Sequence, residues 1–275
     1  MSQSHELQLH IAQLQEIRTL LNAMKNLALM EIHKLSRFQA MQGQTVAHIE
    51  NTALDFLDFY PLLQTAHEND AHICILIGAE RGFCGDFIES LVNAIATDAY
   101  TSIIAIGTRL SSRLDDSPVE IAAALAGANV AEEVPAIMPG LIAAIGSLQK
   151  KHSVLNLTAV YHDSTANQIT KRRLLPPFLE QNRSAAHYGS PPALNLDPAV
   201  FFSGLIDHYL FAALHEIFYI SLMAENHHRL QHLEGAVKHL DDETVNLRRK
   251  SQIYRQEEIT EEIEVILLNA ENGNG

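Results

Sequence analysis

The sequence predicts an α/β protein in which two long helices, one at each end of the chain, bracket a small α/β domain. Three observations predict it. Apolar residues recur every seven positions over residues 5–60. They do so again over residues 197–270. Between them, over residues 70–180, short apolar runs alternate with amphipathic stretches.

The chain has 275 residues, 47% of them apolar, enough for a real core. Its net charge of -14, from 33 acidic and 19 basic side chains, argues against binding a phosphate backbone, which needs clustered Lys and Arg. No nucleic-acid partner is expected. Two cysteines, Cys74 and Cys84, are too few for a disulfide framework or a cysteine zinc site. No apolar run reaches the length of a membrane span, and the N-terminus lacks the apolar stretch of a signal peptide. A non-inserted protein on the cytosolic side is therefore expected.

In the first helix, Leu7, Leu14, Leu21, Ala28 and Leu35 form one seven-residue row. His10, Ile17, Met24, Glu31 and Phe38 stand three positions further on and are read as the second, broken row. Ser4 is the expected cap and Pro61 the stop. The span carries a single glycine. At 1.5 Å per residue it is roughly 80 Å long, too long for an ordinary globular helix.

The middle zone opens on HICILIGA (72–79), a buried strand, followed by the turn ERGFCGD and the helix FIESLVNAIATDA. TSIIAIGT (101–108) is the second strand. PVEIAAALAGA, after Pro118, reads as a helix or helix and loop. MPGLIAAIGSLQKK reads as a helix with Pro139 near its start. HSVLNLTAVYHD (152–163) is the third strand, and KRRLLPPFLE adds an edge strand ended by Pro176 and Pro177. This alternation predicts a small Rossmann-like α/β domain.

Residues 181–196 form a polar linker. Asp197 and Pro198 then read as N-cap and first residue of a helix that tolerates Gly204 and Gly235 and runs to Asn269. Its seam is Leu233, Leu240, Leu247 and Tyr254, with Leu230, Val237, Thr244 and Ser251 in the alternate row. The period of seven predicts a left-handed supercoil. Each long helix joins the same domain from the opposite end of the sequence, so the two pair antiparallel. The C-terminal one is longer, and its last turns overhang. There Val265, Ile266, Leu267 and Leu268 are apolar on every side.

No catalytic constellation is found. GAERGFCGD (78–86) lies where nucleotide loops lie, but has neither GxGxxG spacing nor a GK[ST] ending, and Glu80 and Asp86 would repel a phosphate. It is read as a structural turn, and Cys84 as an inert cysteine rather than a reactive thiol. His228 and His232 have the i, i+4 spacing of a zinc pair without the Glu of HExxH or a third ligand. They are read as a solvated face. Asp241–Asp242–Glu243 and Arg248–Arg249–Lys250 are read as exposed charges that pair weakly at i, i+7. His162 and Asp163 stand at a strand end with no nucleophile motif. No cofactor and no metal is expected.

Four motifs then carry a resemblance. YRQEEITEEIEVI resembles the C-terminal signature of the gamma subunit of F-type ATP synthases, R-x-R-Q-x-x-I-T-x-E-I-x-E-I. The matching positions are Arg255, Gln256, Ile259, Thr260, Glu262, Ile263 and Ile266, with Ile253 in place of the first arginine. AMKNLA (23–28) is similar to the family's A-M-K-x-V-A. ERGFCGDF is similar to D-R-G-L-C-G-G-L and keeps Arg81, Gly82, Cys84 and Gly85. MAENHHRL (223–230) resembles A-S-E-x-x-x-R-M and keeps Glu225 and Arg229.

The resemblance implies a central rotor stalk, with an antiparallel coiled coil set into a ring of alpha and beta subunits. The α/β foot would rest on the epsilon subunit and the membrane c-ring. Catalysis would belong to the beta subunits. It implies partner contacts to the ring at Met24, Lys25, Arg255, Gln256, Thr260, Glu262, Ile263 and Ile266. It also implies a peripheral position on the cytoplasmic face of a bacterial inner membrane. The chain departs from the family at Leu20, Leu21 and Asn22, at Glu31 and His33, and at Asp86. With a pI near 5.4, these departures point to a divergent branch, for which an alternate, sodium-linked bacterial ATPase is one candidate. Cys74 and Cys84 lack the layout of the plant-type regulatory dithiol. Two other readings stand beside the rotor: a coiled-coil adaptor with a ligand-binding α/β domain, and a metal-dependent enzyme.

Overall fold

Residues 3–61, 71–96, 98–114, 119–152, 155–166, 168–178 and 190–272 are described by a computed structural model. In chain order they form α1 (Gln3–Phe59), β1 (Ala71–Ile77), α2 (Phe87–Ile95), β2 (Ser102–Ile106), α3 (Thr108–Leu114), β3 (Glu120–Leu125), α4 (Val134–Lys151), β4 (Leu155–Asp163), β5 (Gln168–Leu175) and α5 (Pro198–Asn272). The class is the expected one: a Rossmann-like α/β domain with long helices at both ends of the chain. Residues 179 and 180 at the end of KRRLLPPFLE, residues 181–189 of the linker, Pro118 and the side chain of Leu268 lie outside the described residues. Two compact units are formed, Met1–Leu27 with Leu230–Gly275, and Ala28–Arg229.

The larger unit is built on a five-stranded sheet of order β3-β2-β1-β4-β5. β3, β2, β1 and β4 are parallel, and β5 returns antiparallel beside β4. The central strands are apolar on both sides because both faces are covered. Ile73, Ile75, Ile104 and Leu157 point to one face, where α4 and the α1 and α5 segments of this unit pack, including Phe56, Leu57, Met138, Leu141, Leu214 and Phe218. Cys74, Leu76, Ile103 and Ala105 point to the other, under Phe87, Leu91, Leu110 and Leu114 of α2 and α3.

The structure corrects three readings of this region. EIAAAL is strand β3, not a helix. Its alanines favour a helix, but β2 offers an open edge, and Ile121, Ala123 and Leu125 alternate half-buried with three exposed neighbours. α4 starts four residues earlier than expected, with Pro135 in its first turn, and Pro139 is inside it. α3 was not foreseen. Among the described residues, Ala131–Lys151 is long and apolar enough to cross a membrane. However, Met138, Leu141, Ile145 and Leu148 are buried in the sheet core.

The smaller unit is an antiparallel helix pair. The backbone N–H of Ser4 donates to Glu258 (3.4 Å), Arg18 pairs with Asp241 (2.5 Å) and Lys25 with Glu234 (3.9 Å), which fixes the register. On α5 both expected rows face inward, with Leu233, Thr244, Leu247 and Ser251 buried, until Tyr254 turns half out. On α1 the row of Leu7, Leu14 and Leu21 faces inward, but the second row is displaced by one residue. His10 and Ile17 are exposed, Met24 of that row stays half-buried, and Ser4, Ile11 and Lys25 also line the seam. A heptad seam alternates steps of three and four, and between Leu7 and Leu14 the step of four comes first. Ser4 is also not the cap: the helix begins before it, and the Glu258 carboxylate meets its N–H. Asp241 pairs across to α1 instead of with a basic block seven residues on.

Candidate functional site

The residues with expected partner contacts lie in the smaller unit. Met24 is half-buried, and Lys25 reaches Glu234. Arg255, Gln256, Thr260, Glu262, Ile263 and Ile266 are all exposed, and Thr260 Oγ1 donates to the Gln256 carbonyl (2.9 Å). Because Ser4 stands opposite Glu258, every residue beyond 258 lies past the start of α1. Ile259, Ile263 and Ile266 follow at i, i+4 and i+7, which aligns them as an apolar stripe. Val265 and Leu267 widen it, with Val265 56%, Ile266 65% and Leu267 59% exposed. Glu258 belongs to the helix start of α1, which only the pairing register reveals.

In the larger unit the place to test for a ligand is the crevice at the carboxyl ends of β1 and β4, where the strand order reverses. The loop 78–86 leaves β1 there. Phe83 and Gly85 both adopt left-handed backbone (φ 65° and 60°), which turns the loop back on itself. Glu80 does not face a phosphate. Its carboxylate accepts from the N–H groups of Thr108 (2.9 Å) and Gly127 (2.7 Å) and from the Thr108 hydroxyl. Burial works against its charge, but these bonds outweigh it and hold its carboxyl below the usual range.

α5 fills the crevice itself. Arg229 donates to the Gly82 carbonyl (3.4 Å), Cys84 Sγ (3.4 Å) and Asn226 Oδ1 (3.0 Å), and forms a close ion pair with Glu225. Two motifs that stand far apart in sequence, ERGFCGDF and MAENHHRL, thus meet in one buried cluster. Burial pushes the Cys84 thiol up to about 12, so it is a poor nucleophile, and Cys74 is pushed equally high. Burial also raises the Glu225 carboxyl, to about 7, against the pull of Arg229. One turn away His228 packs against Phe87 (5.4 Å between ring centroids) and His162 (5.3 Å). His162 stacks on Phe87 at 3.9 Å, with Nε2 2.8 Å from the Phe87 carbonyl. His228 is therefore a packing residue, which corrects its reading as part of a solvated face. No cluster of three metal-binding side chains exists among the described residues. Asp163 closes a turn by accepting from the N–H groups of Thr165 and Ala166. Between α5 and the carboxyl ends of β1 and β2 lies a small cavity, lined by Gly78, Ile106, Gly127, Phe218 and Glu225, of ≈ 10 Å³, room for about one water molecule and for no nucleotide.

Glu31 was a departure without a role. It is buried, accepts from the Ala131 N–H (2.7 Å) and pairs with Lys34 (2.8 Å), which also reaches Glu132 (2.7 Å). It ties α1 to the 3₁₀ turn before α4.

An antiparallel helix pair with an exposed apolar end, on a chain that also forms a Rossmann-like α/β domain, is the architecture of a stalk subunit. Residues 3–271 match the sequence model of the family described as ATP synthase, and the chain belongs to that family, in its gamma branch. It is a non-catalytic central-stalk subunit, and the catalytic activity is in the alpha/beta assembly. The ATP synthase gamma chain of Clostridium botulinum (strain Langeland) is 23% identical over 215 residues, 74% of each chain. A chain of the rotor of the Euglena gracilis mitochondrial ATP synthase has the same fold at TM-score 0.62 and 11% identity, covering 93% of this chain and 98% of that one. A chain of the Tetrahymena thermophila central stalk and c-ring structure gives 0.60 at 14% identity, covering 79% and 99%. In such complexes the stalk is membrane-associated.

Proposed function

We propose that this chain turns as the shaft of its ATP synthase. The exposed turns of α5 beyond Glu258 would be seated in an apolar sleeve of the alpha and beta subunits. The α/β domain would rest on the epsilon subunit and the membrane c-ring, at the cytoplasmic face of a bacterial membrane. The observation that carries this reading is the apolar stripe Ile259, Ile263 and Ile266. It continues past the end of the helix pairing, where it is exposed among the described residues. Met24, Lys25, Arg255, Gln256, Thr260 and Glu262 would contact the ring loops from the two helices.

Purification of the chain with the alpha and beta subunits, and loss of coupled ATP synthesis on its deletion, test this directly. Coupling that survives deletion refutes it. Arg255→Glu is the finer test, since Arg255 is exposed on α5. It is expected to lower coupling while the melting temperature of the isolated chain stays put. If the variant unfolds but its assembled fraction couples normally, Arg255 is structural.

A further inference from the structure

We propose that Arg172 is the positioning residue through which torque passes between the sheet and the two shaft helices, because its guanidinium grips Glu50 of α1 and Glu216 of α5 at once. This inference rests on the shaft reading above. Arg172 projects from β5, the antiparallel edge strand. Its Nη2 lies 3.0 Å from Glu50 Oε1 and its Nη1 2.6 Å from Glu216 Oε2. Its carbon centre stands 6.0 Å from the centroid of the buried Tyr209 ring. One side chain thus joins three elements that are distant in sequence.

The physical need is resistance to sliding. The helices are held to the sheet by a large apolar cluster, and the hydrophobic effect resists separation but has no direction. A planar guanidinium fork with two carboxylates has both direction and register. Under tangential load it is the fork that sets where each helix sits against β5. The surroundings are fitted to it. Gly43 is the single glycine of the first helical zone, and a Cβ there would come within 3.1 Å of Glu216 Oε1. The adjacent Gln42 donates to the Ala212 carbonyl (3.0 Å), a second directional tie between α1 and α5 at the same level. Both helices continue beyond this level, α1 toward Gln3 and α5 toward Asn272.

The test uses the assembled complex in membrane vesicles. It counts ions moved per ATP hydrolysed while the opposing ion gradient is raised. Arg172→Gln is expected to couple like wild type without load and to slip as load grows, with a slip rate about tenfold higher, equivalent to about 1.4 kcal/mol. Arg172→Lys, which keeps the charge without the fork, falls between the two. A residue that merely stabilises the fold would lower the yield of complex and leave the coupling of the assembled fraction unchanged at every load. That result overturns the proposal. Should Arg172→Gln fail to assemble, the double variant Glu50→Gln with Glu216→Gln is read the same way. Load-dependent slip supports the clamp, and wild-type coupling at all loads refutes it. A complex lacking this chain that still couples would instead refute the shaft reading itself.

Discussion

The two compact units place their apolar side chains in opposite ways. In Ala28–Arg229 they face inward from both sides of the sheet, and Ile73, Leu76, Phe87, Ile104 and Leu157 have no exposed surface. In the helix pair only a narrow seam is buried, and it includes the polar Ser4, Thr244 and Ser251. Leu9, Ile17, Leu20, Leu27, Ile253, Ile259, Ile263 and Ile266 lie in solvent. The first unit closes its core with its own chain. The second leaves many large apolar side chains exposed beside its narrow seam.

The sharpest break of this contrast is expected in the sheet domain. Phe87→Ala removes a ring that packs with His162 and His228, and should cost about 3–5 kcal/mol in denaturant unfolding. A comparably small loss would mean that this core is looser than its burial indicates. The seam should respond in the other direction. Ser251→Leu replaces a buried polar residue with an apolar one and should stabilise the helix pair by about 1–2 kcal/mol, seen as slower hydrogen exchange of its amides.

Acid should act on the larger unit through His162. Burial holds its imidazole below the usual 6.5; the bond to the Phe87 carbonyl and Asp86 oppose this, and His228 adds to it. A depressed histidine contributes stability that is complete above the unfolded value of 6.5 and is lost as pH falls through the lowered folded value. The melting temperature should therefore decline on acidification below 6.5 with a steeper slope in wild type than in His162→Gln. Equal slopes would show that His162 is not the group that titrates. The smallest effect on stability is expected at the exposed stripe: Ile266→Ser should change unfolding of the isolated chain by no more than about 0.5 kcal/mol, yet weaken coupling in the complex. Loss of stability with normal coupling would reverse the assignment of that surface.

Much of this was legible in the residues. β1, β2 and β4 announce themselves as apolar runs, and α5 carries its seam in Leu233, Leu240 and Leu247, with Asp197 accepting from the Ala199 N–H at its start (2.9 Å) as its position suggests. EIAAAL was not legible, because its local preference is helical and the open edge of β2 outweighs it. Nor were the roles of Glu31, Arg172 and Glu225. Each is a charged residue in an amphipathic stretch, indistinguishable by pattern from a solvated one. Their partners, the Ala131 N–H, Glu50 with Glu216, and Arg229 with Cys84, are brought to them by chain folding alone, except for the Arg229 one turn from Glu225.

The sequence by itself determined the two long helical periods, the apolar strands β1, β2 and β4, and the apolar surplus at the C-terminal end, because these depend on neighbours within a few residues. The tertiary structure decided the rest. It set which side of α1 faces α5, which helix closes the nucleotide crevice, and which buried charges are paired. Those outcomes depend on distances between residues far apart in the chain. A polar group there is stable only where a specific partner meets it.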